Sequence, residues 1–198
     1  MVTIRGHVTI AVAFLALSCS GSREDVAAHS RIGAFGLGRE PSAEEIERWD
    51  IDVMPDGTGL PPGSGTVEQG AELYAAKCAS CHGATGTEGP YDLLVGRVAD
   101  DEFPFGRDPS VRSTIGNYWP YATTLYDYVY RTMPFGTPGT LAPDEVYGLV
   151  AVLLFMNGIV PEDMVMNAQT LPMVMMPARD RFVEDDRRGG SGGGAEIR

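Results

Sequence analysis

Cysteine and histidine are scarce in this chain of 198 residues, with three of each. The cysteines are Cys19, Cys78 and Cys81, and the histidines are His7, His29 and His82. A zinc site built on the close pair Cys78 and Cys81 would need a second ligand pair, and none is available. A thioredoxin-like use of the same pair would need a βαβ surround, which is also missing. Positive charge is short too: 15 Lys and Arg stand against 27 Asp and Glu, a formal net charge of −12. Nucleic acid and anionic membrane would both repel such a chain. Past the N-terminus no apolar run is long enough to span a bilayer, and no internal repeat is visible.

What is present is Cys78-Ala79-Ser80-Cys81-His82. Two thiols one helical turn apart can reach the two vinyl groups of one porphyrin, and the following imidazole then meets the iron from one face. With zinc and thiol exchange set aside, the run reads as the attachment site of a single covalent haem c.

The length suits one domain with extensions, and an apolar content of 43% allows a real core. Residues 1–18 have the form of an export signal. Arg5 supplies the positive end, Val8–Leu17 is apolar, and Ala16 and Ser18 suit cleavage. Ala16-Leu17-Ser18-Cys19 also resembles a bacterial lipoprotein box, with Ala16 where leucine is usual, so lipidation of Cys19 stays open beside simple cleavage. Both readings place the mature chain in the periplasm, with the membrane reached only through that anchor.

Residues 19–64 read as a tether followed by a loop-rich arm, marked by Pro55-Asp56-Gly57 and Leu60-Pro61-Pro62-Gly63. A short helix is predicted within it, with Ser42 as cap, Glu45 three residues on, and Ile46 and Trp49 three apart. The first strong helix starts at Thr66-x-x-Gln69, a capping-box pattern, and runs to Cys78. Gly70 in its middle costs ~1 kcal/mol relative to alanine and so marks a point where another helix crosses closely. Glycines 83, 86 and 89 with Pro90 predict a tight loop after His82, and residues 99–118 read as loop. A second helix is predicted from about Thr123 to Thr132, with Thr124 and Asp127 repeating the capping pattern and Pro134 ending it. The third runs from Pro143 to Asn157-Gly158, with Ala142 as a weak cap. Residues 161–183 read as a methionine-rich extension that wraps the haem domain, and 184–198 as a glycine-rich, disordered tail.

Among nine methionines, Met133 is the candidate for the second iron ligand. It follows the second helix, a proline turns its side chain inward, and it lies 51 positions after His82. Met176, also followed by proline, is the alternative, and His29 a weaker one. Met173 and Met175 are expected on the surface of the core. Tyr121 and Phe135 are expected in the haem pocket, and Trp119 either there or as an ordinary core aromatic.

Residues 65–160 resemble the class I cytochrome c family, which implies an all-α fold of three main helices around one haem, here with loop-rich N- and C-terminal extensions. Across most of 35–182 the chain is similar to one branch, the cytochrome c subunit of the molybdenum-containing sulfur dehydrogenase of the Sox sulfur-oxidation system. The stretches that carry this are Phe35-Gly36-Leu37-Gly38-Arg39, Trp49-Asp50-Ile51-Asp52-Val53, Tyr118-Trp119-Pro120-Tyr121, Met133-Pro134-Phe135 and Leu171-Pro172 with Met176-Pro177-Ala178-Arg179-Asp180. Larger members of that branch resemble this chain plus a second haem domain, whereas here one C-x-x-C-H is present.

The resemblance implies electron transfer from a molybdenum sulfur or sulfite dehydrogenase to another cytochrome, with His82 and Met133 on the iron. It also implies the Pro90 carbonyl as the acceptor that orients His82, beside the alternative of a mere turn proline. A haem enzyme such as a thiosulfate dehydrogenase is the competing reading, and a permanent redox subunit of a dehydrogenase complex is another. The first is disfavoured because only Cys19 remains as a further thiol and Met133 closes the site.

Overall fold

The structure is a computed structural model that describes residues 38–98, 103–105 and 108–183. The export signal, Cys19, His7, His29, the start of the arm and the tail 184–198 lie outside the described residues. The chain divides into two units, 1–42 and 43–198. Every described helix and strand lies in the second unit.

Helix predominates. The described elements are α1 (Ala43–Glu47), α2 (Val67–Lys77), α3 (Ala79–His82), α4 (Ile115–Tyr118), α5 (Ala122–Thr132) and α6 (Pro143–Met156). Two three-residue strands, β1 (Ser64–Thr66) and β2 (Val165–Asn167), pair antiparallel with Gly65 opposite Met166. No alternation in the sequence announces them, and their three-residue length explains why.

α2 begins as its capping box dictates: the Gln69 amide donates to Thr66 Oγ1 at 3.2 Å and the Thr66 amide to Gln69 Oε1 at 3.0 Å. α6 lacks the first of these bonds because Ala142 has no side-chain acceptor, so only Glu145 reaches back, to the Ala142 amide at 2.9 Å. Burial compensates for the weak cap. Every residue from Val146 to Leu154 is buried, so α6 is apolar all round and forms the centre of the core.

α2 crosses α6 at Gly70 and Gly148. A Cβ on Gly70 would stand 1.8 Å from the Gly148 carbonyl oxygen, and one on Gly65 2.1 Å from the Gly148 amide nitrogen. That approach is the physical reason for glycine in mid-helix. Lys77 Nζ then meets Glu145 Oε1 at 2.9 Å across the same two helices.

α5 departs from its expected cap. It begins at Ala122, one residue before the expected start near Thr123, so Thr124 lies inside the helix instead of capping it and Asp127 has another use. Its buried carboxylate accepts the Val53 amide at 2.9 Å and pairs with Arg131. Thr123 Oγ1 donates to the Pro55 carbonyl at 3.1 Å and Tyr147 Oη to that of Pro61 at 2.9 Å. The stretch 52–61 is thereby tied to α5 and α6. On the C-terminal side Met166, Leu171, Val174, Met176 and Ala178 are buried, while Met173 and Met175 between them are exposed at 76% and 64%. The last two therefore face solvent, where contact with the core surface was expected. α4 also lies in a stretch read as loop: the Thr114 amide donates to Asn117 Oδ1 at 2.8 Å and opens a single turn.

Candidate haem-attachment site

Cys78 is the residue on which α2 ends and α3 begins. The Cys81 and His82 amides both donate to the Cys78 carbonyl at 3.0 Å, so both thiols and the imidazole ride on one continuous turn. Gly83, at φ +80°, breaks it. Both thiols are free, Cys78 half-buried and Cys81 exposed. Burial pushes the Cys78 thiol up to about 11, with the neighbouring Cys81 adding to the shift. It is therefore held as a neutral S–H at ordinary pH.

The loop after His82 folds back beneath it. Tyr91 donates its amide to the Cys81 carbonyl at 3.3 Å, and Gly86 accepts the amides of Leu94 at 2.9 Å and Val95 at 3.1 Å. Gly89 presses on the motif so closely that a Cβ there would lie 2.2 Å from the Cys81 carbonyl oxygen. Tyr74 Oη donates to the Gly83 carbonyl at 2.9 Å.

His82 Nδ1 lies 2.9 Å from the Asp92 carbonyl oxygen. This corrects the expected partner, Pro90. The Tyr91–Cys81 bond turns the chain just past the proline, and the carbonyl that arrives at the ring is the one two residues on. A carbonyl only accepts, so Nδ1 carries a proton, and in the neutral ring Nε2 is the nitrogen with the lone pair. That is the tautomer a metal ligand needs.

Asn157 locks this loop from the far side. Its Oδ1 accepts the Gly96 amide at 3.1 Å, and its Nδ2 donates to the carbonyls of Leu94 at 3.2 Å and Leu153 at 2.8 Å. Thr114 Oγ1 donates to the Gly96 carbonyl. The sequence presents Asn157 as a helix stop. Its side chain in fact ties the C-terminal end of α6 to the strand of loop that positions His82. Asp92 was likewise invisible in the sequence, because it acts through its backbone.

Met133 caps α5, half-buried against the core, whereas Met176 is buried within it. Phe135 is exposed at 87%. Trp119 is half-buried and stacks edge-on against Tyr128 at 5.6 Å, and Tyr121 lies beneath the Arg179 guanidinium at 5.3 Å. The donor set fits haem c: two free thiols one turn apart and an imidazole with Nε2 available. Cys78, Cys81 and His82 would hold it.

The family model described as cytochrome C oxidase, cbb3-type, subunit III matches residues 65–153. A chain in the crystal structure of the sulfane dehydrogenase SoxCD from Paracoccus pantotrophus is 44% identical, over 78% of this chain and 74% of that one, with a TM-score of 0.67. The chain belongs to the Sox-type cytochromes c. Among curated proteins none matches it. As a Sox-type cytochrome it is an all-α haem protein with a role in electron transfer. Its C-x-x-C-H motif falls inside the matched family region, with α2, α3 and α6 around it.

Proposed function

We propose that this Sox-type cytochrome is a periplasmic carrier with one covalent haem, taking electrons from a molybdenum-containing sulfur or sulfite dehydrogenase and passing them to a downstream cytochrome. The observation that carries the reading is the imidazole of His82, fixed by Asp92 with Nε2 available, one turn from two free thiols. Haem supplies a one-electron ferric/ferrous couple when bound. Cys78 and Cys81 would hold it covalently, each through a thioether bond to one of its vinyl groups. His82 and Met133 would hold the iron. A thioether there favours ferrous iron and raises the potential relative to two histidines. The export-signal pattern of residues 1–18 supports the periplasmic assignment, and the likeness to a chain of a sulfane dehydrogenase structure supports the donor.

Intact mass and a pyridine haemochrome assay on the purified holoprotein test the core of this. One haem per chain that resists acid-acetone extraction is expected; two haems, or extractable haem, would overturn it. Stopped-flow reduction by the dehydrogenase should slow as salt rises, because the acidic surface steers the encounter and salt screens it beyond ~8 Å at physiological strength. A rate indifferent to salt would make the chain a permanent subunit instead of a carrier.

A further inference from the structure

The second face of α2 is unaccounted for by haem attachment. One face of this helix meets α6 through Gly70 and carries Cys78. On its flank an open groove of about 1050 Å³ runs between α2, the last turns of α6 and the loop that follows. None of Cys78, Cys81, His82 or Met133 lines it. Its floor is apolar, made by Ala71, Ala75 and Ala79 on one side and Val152, Phe155 and Met156 on the other. Ala71 and Ala75 on α2, with Ala79 at the start of α3, keep that wall low. Phe155 is exposed at 38%, although the nine residues before it on α6 are all buried.

The rim has a single sign. Glu68 and Glu72 stand along α2, Glu162 and Asp163 lie on the loop, and among the described residues no lysine or arginine lines the groove. Four carboxylates around an apolar trough repel one another unless a cation is brought to them, and they repel a second copy of this acidic chain. Both main walls are helices whose amides and carbonyls are spent internally, and of β1 only its last residue, Thr66, reaches the groove. The mode of recognition left is a helix laid into a groove.

We propose that this groove is a docking site for a basic amphipathic helix of a partner protein, its apolar stripe on Phe155 and Met156 and its Lys or Arg flanks on the four carboxylates. The inference rests on the reading of the chain as a redox protein with protein partners, and it adds where one partner sits. An occupant would touch Ala79, the neighbour of Cys78, from behind the attachment turn. The surface around Met133 and Phe135 stays open to another protein at the same time, so donor and acceptor need not compete for one face.

The test uses full-length holoprotein and a labelled synthetic helix of leucines at i, i+3, i+4 and i+7 flanked by lysines. Fluorescence anisotropy should show binding that falls at least tenfold in E68K/E72K and about as much in F155A. The control E44K/E47K, which makes the same charge change on the exposed α1, should stay within twofold. Amide shifts on titration should centre on Ala71, Ala75 and Phe155. Equal loss in the control would reduce the attraction to diffuse charge and overturn the proposal, as would shifts centred on Met133–Phe135. A concentration-dependent dimer abolished by F155A would give the groove to a second copy, against the proposal. Haem stoichiometry and dithionite reduction are read on every variant; their failure would strike the carrier reading, while their survival leaves the groove judged on binding alone.

Discussion

The two sides of the proposed haem site are built differently. On the His82 side, the turn 78–82 is gripped from three directions: Gly89 packs on its carbonyls, Asp92 holds the ring, and Asn157 with Thr114 clamps residues 94 and 96. On the Met133 side, the chain leaves α5 and passes into an exposed stretch, 135–140, where neither Gly136 nor Gly139 has any atom within 4 Å of where a Cβ would stand. His82 is held by several backbone contacts, whereas Met133, its proposed counterpart, sits at the end of one helix. The difference teaches where the packing was concentrated: at the residue joined in sequence to the two thiols, while the Met133 side is left exposed.

Substitution at the helix crossing breaks the gripped side most severely. Gly70→Val places carbon where the Gly148 carbonyl already lies, and α2 must move off α6. A loss of about 3 kcal/mol is expected by chemical denaturation. A loss under about 1 kcal/mol would mean that the crossing tolerates separation.

Next comes Asn157→Ala, which leaves the Gly96 amide without its acceptor inside the protein. That should cost about 2 kcal/mol. It should also loosen the loop that carries Asp92, seen as faster exchange of the His82 Nδ1 proton. Unchanged exchange would confine Asn157 to helix capping.

Met133→Ala probes the looser side. Being half-buried, it should cost only about 1 kcal/mol, yet lower the potential and remove the ferric sulfur–iron charge-transfer band. Met176→Ala should do the reverse, costing about 3 kcal/mol for a buried side chain and leaving the band intact. A band lost in the second variant and kept in the first would exchange the two assignments.

The smallest effect concerns Glu88, at the edge of the gripped loop. Hydrogen bonds from Thr85, and then Thr87, hold its carboxyl down at about 2. A lowered folded-state value means that its contribution is complete above the ordinary value near 4.5 and fades as pH falls towards 2. Glu88→Gln should remove that slope, read from amide exchange at Thr85 and Thr87 across the window. An identical slope in the variant would assign it to other carboxylates.

How far the fold could be read in advance depended on how local its causes were. The capping box of Thr66, the start at Pro143 and the stop at Asn157 act within a few residues, and all appear where their patterns lie. Gly70 could be read as a crossing because a mid-helix glycine is costly without one. Thr124 and Asp127 offered an equally local cap, but Asp127 went to Val53, 74 residues away, and α5 began earlier. The turn at Thr114 and Asn117 shows the opposite error: a capping pattern was present inside a stretch whose glycines, prolines and charges read as loop.

By itself the sequence determined the chemistry and the helices, because C-x-x-C-H, capping boxes and 3.6-residue periodicity are short-range facts. The tertiary structure alone decided which carbonyl holds His82, since Asp92 is recruited by its backbone and any residue type would serve. It alone turned Asn157 from a helix end into a clamp, paired Gly65 with Met166, and left Phe155 facing outward beside a ring of carboxylates. Those outcomes depend on where distant segments meet, and one residue's identity carries no record of which distant backbone it will touch.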